Sequence, residues 1–238
     1  MPVKGKFYGI GVGPGSPDLL TLKAADVLRK VPVIFVPVRV QGEVSRAQEI
    51  ISPFLDGQEI RELVFPMTRD SKDLEEGWKQ AAEGVLSTLN EGQDAAFITL
   101  GDSVLYSTYS YLMDALLKLE PDLAVETISG ITSFSAAAAL FNRALTSGQE
   151  ALAVVPATRG MEYLKVVLAA FENVALMKVG SVLDDVLDLL KDLGRLEDAA
   201  FISRCGMSGQ VMLDNLASAQ EVPRDYFSLI LVGKGKVG

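Results

Sequence analysis

The chain has 238 residues, 49% hydrophobic and 22% charged: enough apolar material for a full core, and too much for a disordered chain. Its net charge of −9 argues against general nucleic-acid binding. There is no histidine, and Cys205 is the only cysteine. This excludes histidine-based triads and bases, an intrachain disulfide, and multi-cysteine zinc or iron–sulfur centres.

The spacing of apolar residues and turn formers predicts alternating strands and helices. A first strand covers 6–12. The turn-rich run Gly11-Val12-Gly13-Pro14-Gly15-Ser16-Pro17-Asp18 follows, and Asp18 or Ser16 is expected to cap a helix over 19–30. Then come a strand at 31–36, a helix at 44–54, a strand at 59–65 and a long amphipathic helix at 74–89. The strand 94–100 leads into Gly101-Asp102-Ser103, followed by a helix at 109–119 and a strand at 123–128. Ser129-Gly130-Ile131-Thr132-Ser133 opens an alanine-rich helix.

Residues 144–150 are small and polar and read as an interdomain linker, which predicts domains at 1–143 and 144–238. The second domain is expected to have strands at 151–156, 174–179, 199–204 and 226–232. Its expected helices cover 161–171, 182–193 and 209–219. The class is α/β with largely parallel or mixed sheets. The apolar run from Ala136 soon meets Asn142 and Arg143, too short to span a membrane. Glycines break the N-terminal apolar patch, so no secretory signal is expected. The lone thiol fits a reducing cytoplasm.

The glycine-rich loop invites a dinucleotide reading, but strict Gly-x-Gly-x-x-Gly fails in both frames, at Pro14 and at Ser16. The second strand ends in Pro37 and Val38, where a ribose-binding acid would be required. The standard phosphate-loop motif is also absent. Gly101 and Asp102 sit at a strand exit, where a glycine lets a ligand approach the backbone and an ionised carboxylate accepts hydrogen bonds.

Taken together, Gly11–Gly15, Gly101-Asp102-Ser103, Gly130-Ile131-Thr132-Ser133, Leu176-Met177-Lys178 and Ser203-Arg204-Cys205-Gly206 with Gln210 resemble the ordered motifs of the tetrapyrrole methylase family. The likeness is greatest to the branch that methylates C20 of precorrin-2 or cobalt-factor II. It is carried by Leu20–Ala24, Tyr106–Tyr109, Gly130–Phe134 and Asp225–Ser228. One departure is Ser103, where the family commonly has proline; a looser turn is expected there.

The resemblance implies two α/β domains with a cleft between them, a cytoplasmic homodimer, and S-adenosyl-L-methionine as methyl donor. It implies that Pro14, Gly101, Asp102, Leu105, Thr132, Ser133, Met177 and Gly206 line the cofactor site. It implies a tetrapyrrole substrate. With no histidine and one cysteine, no dedicated metal site of the protein is expected, and any metal enters with the substrate. Tyr106, Asp18 and Tyr8 are candidate bases, with Tyr106 the catalytic choice. The loop 11–16, with Arg39 or Arg46, is expected to meet the substrate's carboxylates. Three other readings stay open: a sister enzyme such as a uroporphyrinogen-III methyltransferase or another corrin-ring methyltransferase, a nucleotide-binding dehydrogenase, and a non-catalytic binding module with a degenerate site, for which Ser103 is the only hint.

Overall fold

The structure is a computed structural model that describes residues 4–65, 71–219 and 221–233. Its contacts divide the chain into two compact units, Met1–Thr132 and Ser133–Gly238. Among the described residues, no helix is long and apolar enough to cross a membrane.

The first unit runs β1 (Phe7–Gly11), α1 (Leu22–Leu28), β2 (Val33–Val38), α2 (Arg46–Ile51), β3 (Glu59–Val64), α3 (Ser71–Asn90), β4 (Ala95–Thr99), α4 (Thr108–Leu119) and β5 (Val125–Ile128). The strands form one sheet in the order β3-β2-β4-β1-β5, and every neighbouring pair is parallel. Parallel neighbours need a crossover, which the helices supply. Alternate residues of the strands serve opposite faces. Ile10, Ile34, Val36 and Ile98 pack with Leu28 of α1 and Ile50 and Ile51 of α2. Phe7, Val33, Phe35 and Phe97 pack with Val85 and Leu89 of α3 and with Leu112 and Leu116 of α4.

This division follows from crossover handedness. From β1 to β2 to β3 the chain moves one way along the sheet; from β3 to β4 to β5 it moves back. Right-handed crossovers then leave α1 and α2 on one face and α3 and α4 on the other. The loops leaving the adjacent strands β1 and β4 therefore depart toward opposite faces. That is a topological switch point, where open α/β sheets bind ligands at the strands' carboxyl ends. The order also differs from the dinucleotide-binding sheet, because β4 lies between β2 and β1.

Two contacts fix the edge of this sheet. The fully buried Tyr109 lies against β1, where a Cβ at Gly9 would fall 2.0 Å from its ring. Its hydroxyl shares a 2.7 Å hydrogen bond with Thr127 Oγ1. On edge strand β5, Glu126 is held by Lys23 and Lys6, which push its carboxyl down to about 2.

The second unit runs α5 (Ser133–Leu140), β6 (Leu152–Pro156), α6 (Met161–Ala170), β7 (Asn173–Met177), α7 (Leu183–Asp192), β8 (Ala199–Ser203), β9 (Val211–Leu213) and β10 (Ser228–Val232). Its sheet order is β6-β7-β10-β8-β9; β6 and β7 are parallel and the other pairs antiparallel. Val174, Leu176, Phe201 and Ile230 form a core with Leu164 and Leu168 of α6 and Val186 and Leu190 of α7. Helix α5, with Ala136, Ala137 and Ala138 buried, packs against β10. That contact assigns α5 to the second unit, so the units part at Thr132, whereas the polar run at 144–150 suggested Arg143.

Three predicted helices differ. At 209–219 there is no α-helix: edge strand β9 is followed by a 3₁₀ turn over Leu216–Ser218. The Asn215 side chain accepts from Ala217 N at 2.8 Å and sets that turn. At 19–30 a 3₁₀ turn, Pro17–Leu19, precedes the shorter α1, and Thr21 rather than Asp18 or Ser16 caps it, accepting from Ala24 N at 3.2 Å. At 44–54 the α-helix is confined to α2, with a 3₁₀ turn at Ser52–Phe54, where Pro53 brings no N–H.

Candidate active site

At the switch point of the first unit, three of the sequence motifs meet. Gly13 N donates to Gly101 O at 3.0 Å, and Gly101 N donates to Gly13 O at 2.8 Å. Both glycines are left-handed, with φ of 80° and 73°, a conformation that glycine adopts at no steric cost. The third loop closes on the other two. A Cβ at Gly130 would lie 2.2 Å from Gly101 O and 2.6 Å from Gly11 C. Only a residue without a side chain fits there.

Asp102, 9% exposed, joins these loops. Its Oδ1 accepts from Val104 N and its Oδ2 from Gly130 N, both at 2.9 Å. The carboxylate is thus a staple across 28 residues of sequence, and each oxygen keeps a further lone pair for a ligand donor. Ser103 corrects an expectation. Its fully buried hydroxyl donates to Ile128 O at 2.9 Å, so the turn is tied to β5 rather than loosened. Ser107 completes the loop: its Oγ donates to Thr99 Oγ1 at 3.0 Å and accepts from Tyr109 N at the start of α4.

The structure places the other candidates of this unit around the same loops. Pro14 is buried, while Leu105 and Thr132 are half-buried. A Cβ at Gly101 would meet nothing within 4 Å, so its backbone faces open space. The candidate bases are dispersed: half-buried Tyr8 lies within β1, exposed Asp18 in the 3₁₀ turn, and Tyr106 on the loop after β4. Arg39 and Arg46 lie beyond β2 and pair with Glu43 and Glu49.

In the second unit the remaining motifs gather at one end of its sheet. Met177 ends β7 half-buried, and left-handed Lys178 follows at φ 59°. Arg204, also left-handed at φ 52°, donates its N–H to Phe227 O at 2.8 Å and its Nε to Asp225 Oδ2 at 2.7 Å. Asp225 Oδ1 accepts from Phe227 N at 2.8 Å. A Cβ at Gly180 would fall 2.1 Å from Asp225 O, so this loop too demands glycine. The N–H of Gly206 is taken by Gln210 Oε1 at 2.7 Å. Ser133 opens α5.

The pairing of Arg204 with Asp225 escaped the sequence reading, although both residues stood in quoted motifs. Their charges were the available signal; the sequence separation of 21 hid the contact. Burial pushes the Cys205 thiol up to about 11, so it stays protonated near neutral pH and is no nucleophile.

Comparison with known proteins gives this arrangement its relatives. Residues 6–220 match the family model "Tetrapyrrole (Corrin/Porphyrin) Methylases". The chain is 38% identical over 236 residues to the "Probable cobalt-precorrin-2 C(20)-methyltransferase" of Methanocaldococcus jannaschii, covering 97% of each chain. It is 32% identical over 234 residues to the "Cobalt-precorrin-2 C(20)-methyltransferase" of Salmonella typhimurium, covering 98% of each. The fold is shared with the crystal structure of a uroporphyrin-III C-methyl transferase from Thermus thermophilus complexed with S-adenyl homocysteine. That match has a TM-score of 0.67 at 20% identity and covers 97% of this chain and 98% of the other. The motif order, the switch-point sheet and the near full-length match agree: the chain belongs to the tetrapyrrole (corrin/porphyrin) methylases.

Proposed function

We propose that the chain is an S-adenosylmethionine-dependent methyltransferase acting on C20 of precorrin-2 or cobalt-factor II. The observation that carries this reading is the identity of 38% and 32%, over nearly the whole chain, to two proteins named for C20 methylation of cobalt-precorrin-2.

The residues present suit the cofactor. Asp102 offers carboxylate lone pairs, Thr132 and Ser133 carry hydroxyls, and Leu105 and Met177 are apolar and partly open. The uncovered backbone at Gly101 lets a ligand approach closely. When bound, S-adenosylmethionine supplies an already activated methyl on a sulfonium. The protein's task is then to hold the substrate carbon in line and keep water out, which proximity and orientation reward by about 7–11 kcal/mol. A chain without histidine, and with a protonated buried thiol, is adequate to that task. The electron-rich meso carbon of the reduced tetrapyrrole is the nucleophile: it takes the methyl as the methyl–sulfur bond breaks and S-adenosylhomocysteine leaves, and its own proton is then lost to a base.

The substrate's carboxylates need cations despite the chain's acidity. Arg39 and Arg46 are proposed for that role. Their present partners form exposed surface pairs, weak contacts that a substrate carboxylate can displace. A tetrapyrrole KM unchanged by Arg39→Ala and Arg46→Ala removes both from the substrate's surroundings. The protein is further proposed to work as a cytoplasmic homodimer; sedimentation at the monomer mass alone contradicts the dimer.

The test is methyl transfer from labelled S-adenosylmethionine to precorrin-2, with and without cobalt, beside calorimetry with S-adenosylhomocysteine. Label in the tetrapyrrole and saturable binding are expected. Absence of binding at millimolar ligand overturns the cofactor assignment.

A further inference from the structure

Between two anchored ends, the loop after β4 presents side chains to solvent. Asp102, Ser103 and Ser107 are buried and hydrogen-bonded. Val104 and Tyr106, between them, are 62% and 48% exposed. Tyr106 is left-handed, at φ 50°, where a bulky aromatic residue is disfavoured and glycine is not. Across the same edge of the sheet, Val40 and Val44, beyond the carboxyl end of β2, are exposed as well. An aromatic ring exposed in a disfavoured conformation on a fastened loop, two residues from the exposed Val104, suits a large flat ligand with an apolar face.

Resting on the function proposed above, we infer that Tyr106 is a specificity-determining residue whose ring stacks on the face of the tetrapyrrole. Its hydroxyl is not the group that takes the proton. Val104 extends the same apolar surface. The anchors at Ser103 and Ser107 fix the ends of the segment that carries the ring.

The test compares Tyr106→Phe and Tyr106→Gly with the parent chain. It measures kinetics against precorrin-2 and S-adenosylmethionine across pH, S-adenosylhomocysteine affinity and thermal midpoint. Tyr106→Phe keeps the ring, so its tetrapyrrole KM should rise far less than that of Tyr106→Gly, and its pH profile should keep the parent's shape. Tyr106→Gly removes the ring but suits the backbone. Its thermal midpoint should be equal or higher, while the tetrapyrrole KM rises about tenfold, the scale of one aromatic contact. Its affinity for S-adenosylhomocysteine should not change. A parent-like tetrapyrrole KM in Tyr106→Gly overturns the stacking role and leaves the methyltransferase reading intact. A large fall in kcat with an altered pH profile in Tyr106→Phe overturns it in favour of proton transfer. A parent chain that neither binds nor methylates precorrin-2 overturns the substrate reading, and this inference with it.

Discussion

In the first unit, three loops leave the carboxyl edge of a parallel sheet and are fastened to one another by buried groups: the paired amides of Gly13 and Gly101, the Asp102 carboxylate and the Ser103 hydroxyl. In the second unit, the loops around Lys178, Arg204 and Asp225 stand at the end of a mixed sheet. They are held by an ion pair in which the Arg204 side chain is 46% exposed, and by two residues in left-handed backbone. The first cluster depends on the close approach of three loops at Gly11 and Gly130. The second has one such approach, at Gly180 against Asp225 O, and otherwise depends on a screened contact and on local conformation. Sensitivity to substitution should therefore be steep at Gly130 and Asp102 and shallow at Arg204.

The sharpest way to break that contrast is Gly130→Ala. Its Cβ would meet backbone of both neighbouring loops, and backbone cannot swing aside as a side chain can. A loss of about 3 kcal/mol or more is expected in urea unfolding; a stable variant would show that the three loops are free to separate. Asp102→Ala comes next. It strips the acceptor from Val104 N and Gly130 N and should cost about 1–3 kcal/mol. S-adenosylhomocysteine affinity should fall too, and calorimetry with undiminished binding would confine Asp102 to a structural part. Ser103→Ala leaves the Ile128 carbonyl without its partner, for about 1–2 kcal/mol in the same unfolding assay.

A smaller effect belongs to acid. The Glu126 carboxyl, held by Lys23 and Lys6, lies at about 2 in the folded chain, against an ordinary value of 4.5. A depressed carboxylate contributes stability above its unfolded value and loses it as pH falls toward 2. Glu126→Gln should therefore flatten the acid side of the unfolding curve between those values; an unchanged curve would mean that the two lysines do not hold it in solution. Least of all is expected from Arg204→Gly. The variant loses a surface pair worth about 0–1 kcal/mol but gains a residue suited to φ 52°. Its thermal midpoint should barely move, and a collapse would erase the distinction between the two clusters.

The same contrast explains what was legible in the sequence. The first cluster is made of glycines at strand exits, and glycine with proline is the plainest local signal a chain carries. The buried strands around it, such as Ala95–Thr99, read as continuous apolar runs. What Asp102 does was not legible, because Gly130 approaches it only through the order of strands in the sheet. Nor was the hydroxyl of Ser103, which ties down a turn expected to be looser because the family commonly has proline there. In the second unit, the apolar spacing at 209–219 suggested a helix. Val211 and Met212 are instead exposed on an edge strand, so their spacing records no buried face. The border of the compact units, at Thr132, was hidden for a related reason. Polarity marks 144–150, but the packing of α5 on β10 decides which unit owns the helix.

The central claim is the position of the transferred methyl. It is tested most directly by incubating the chain with precorrin-2 and carbon-13 methyl-labelled S-adenosylmethionine, with and without cobalt, and reading the product by NMR. A single labelled methyl on C20 is the expected result. A label on any other ring carbon would make the chain a sister methylase, and no labelled tetrapyrrole under either condition would contradict the account.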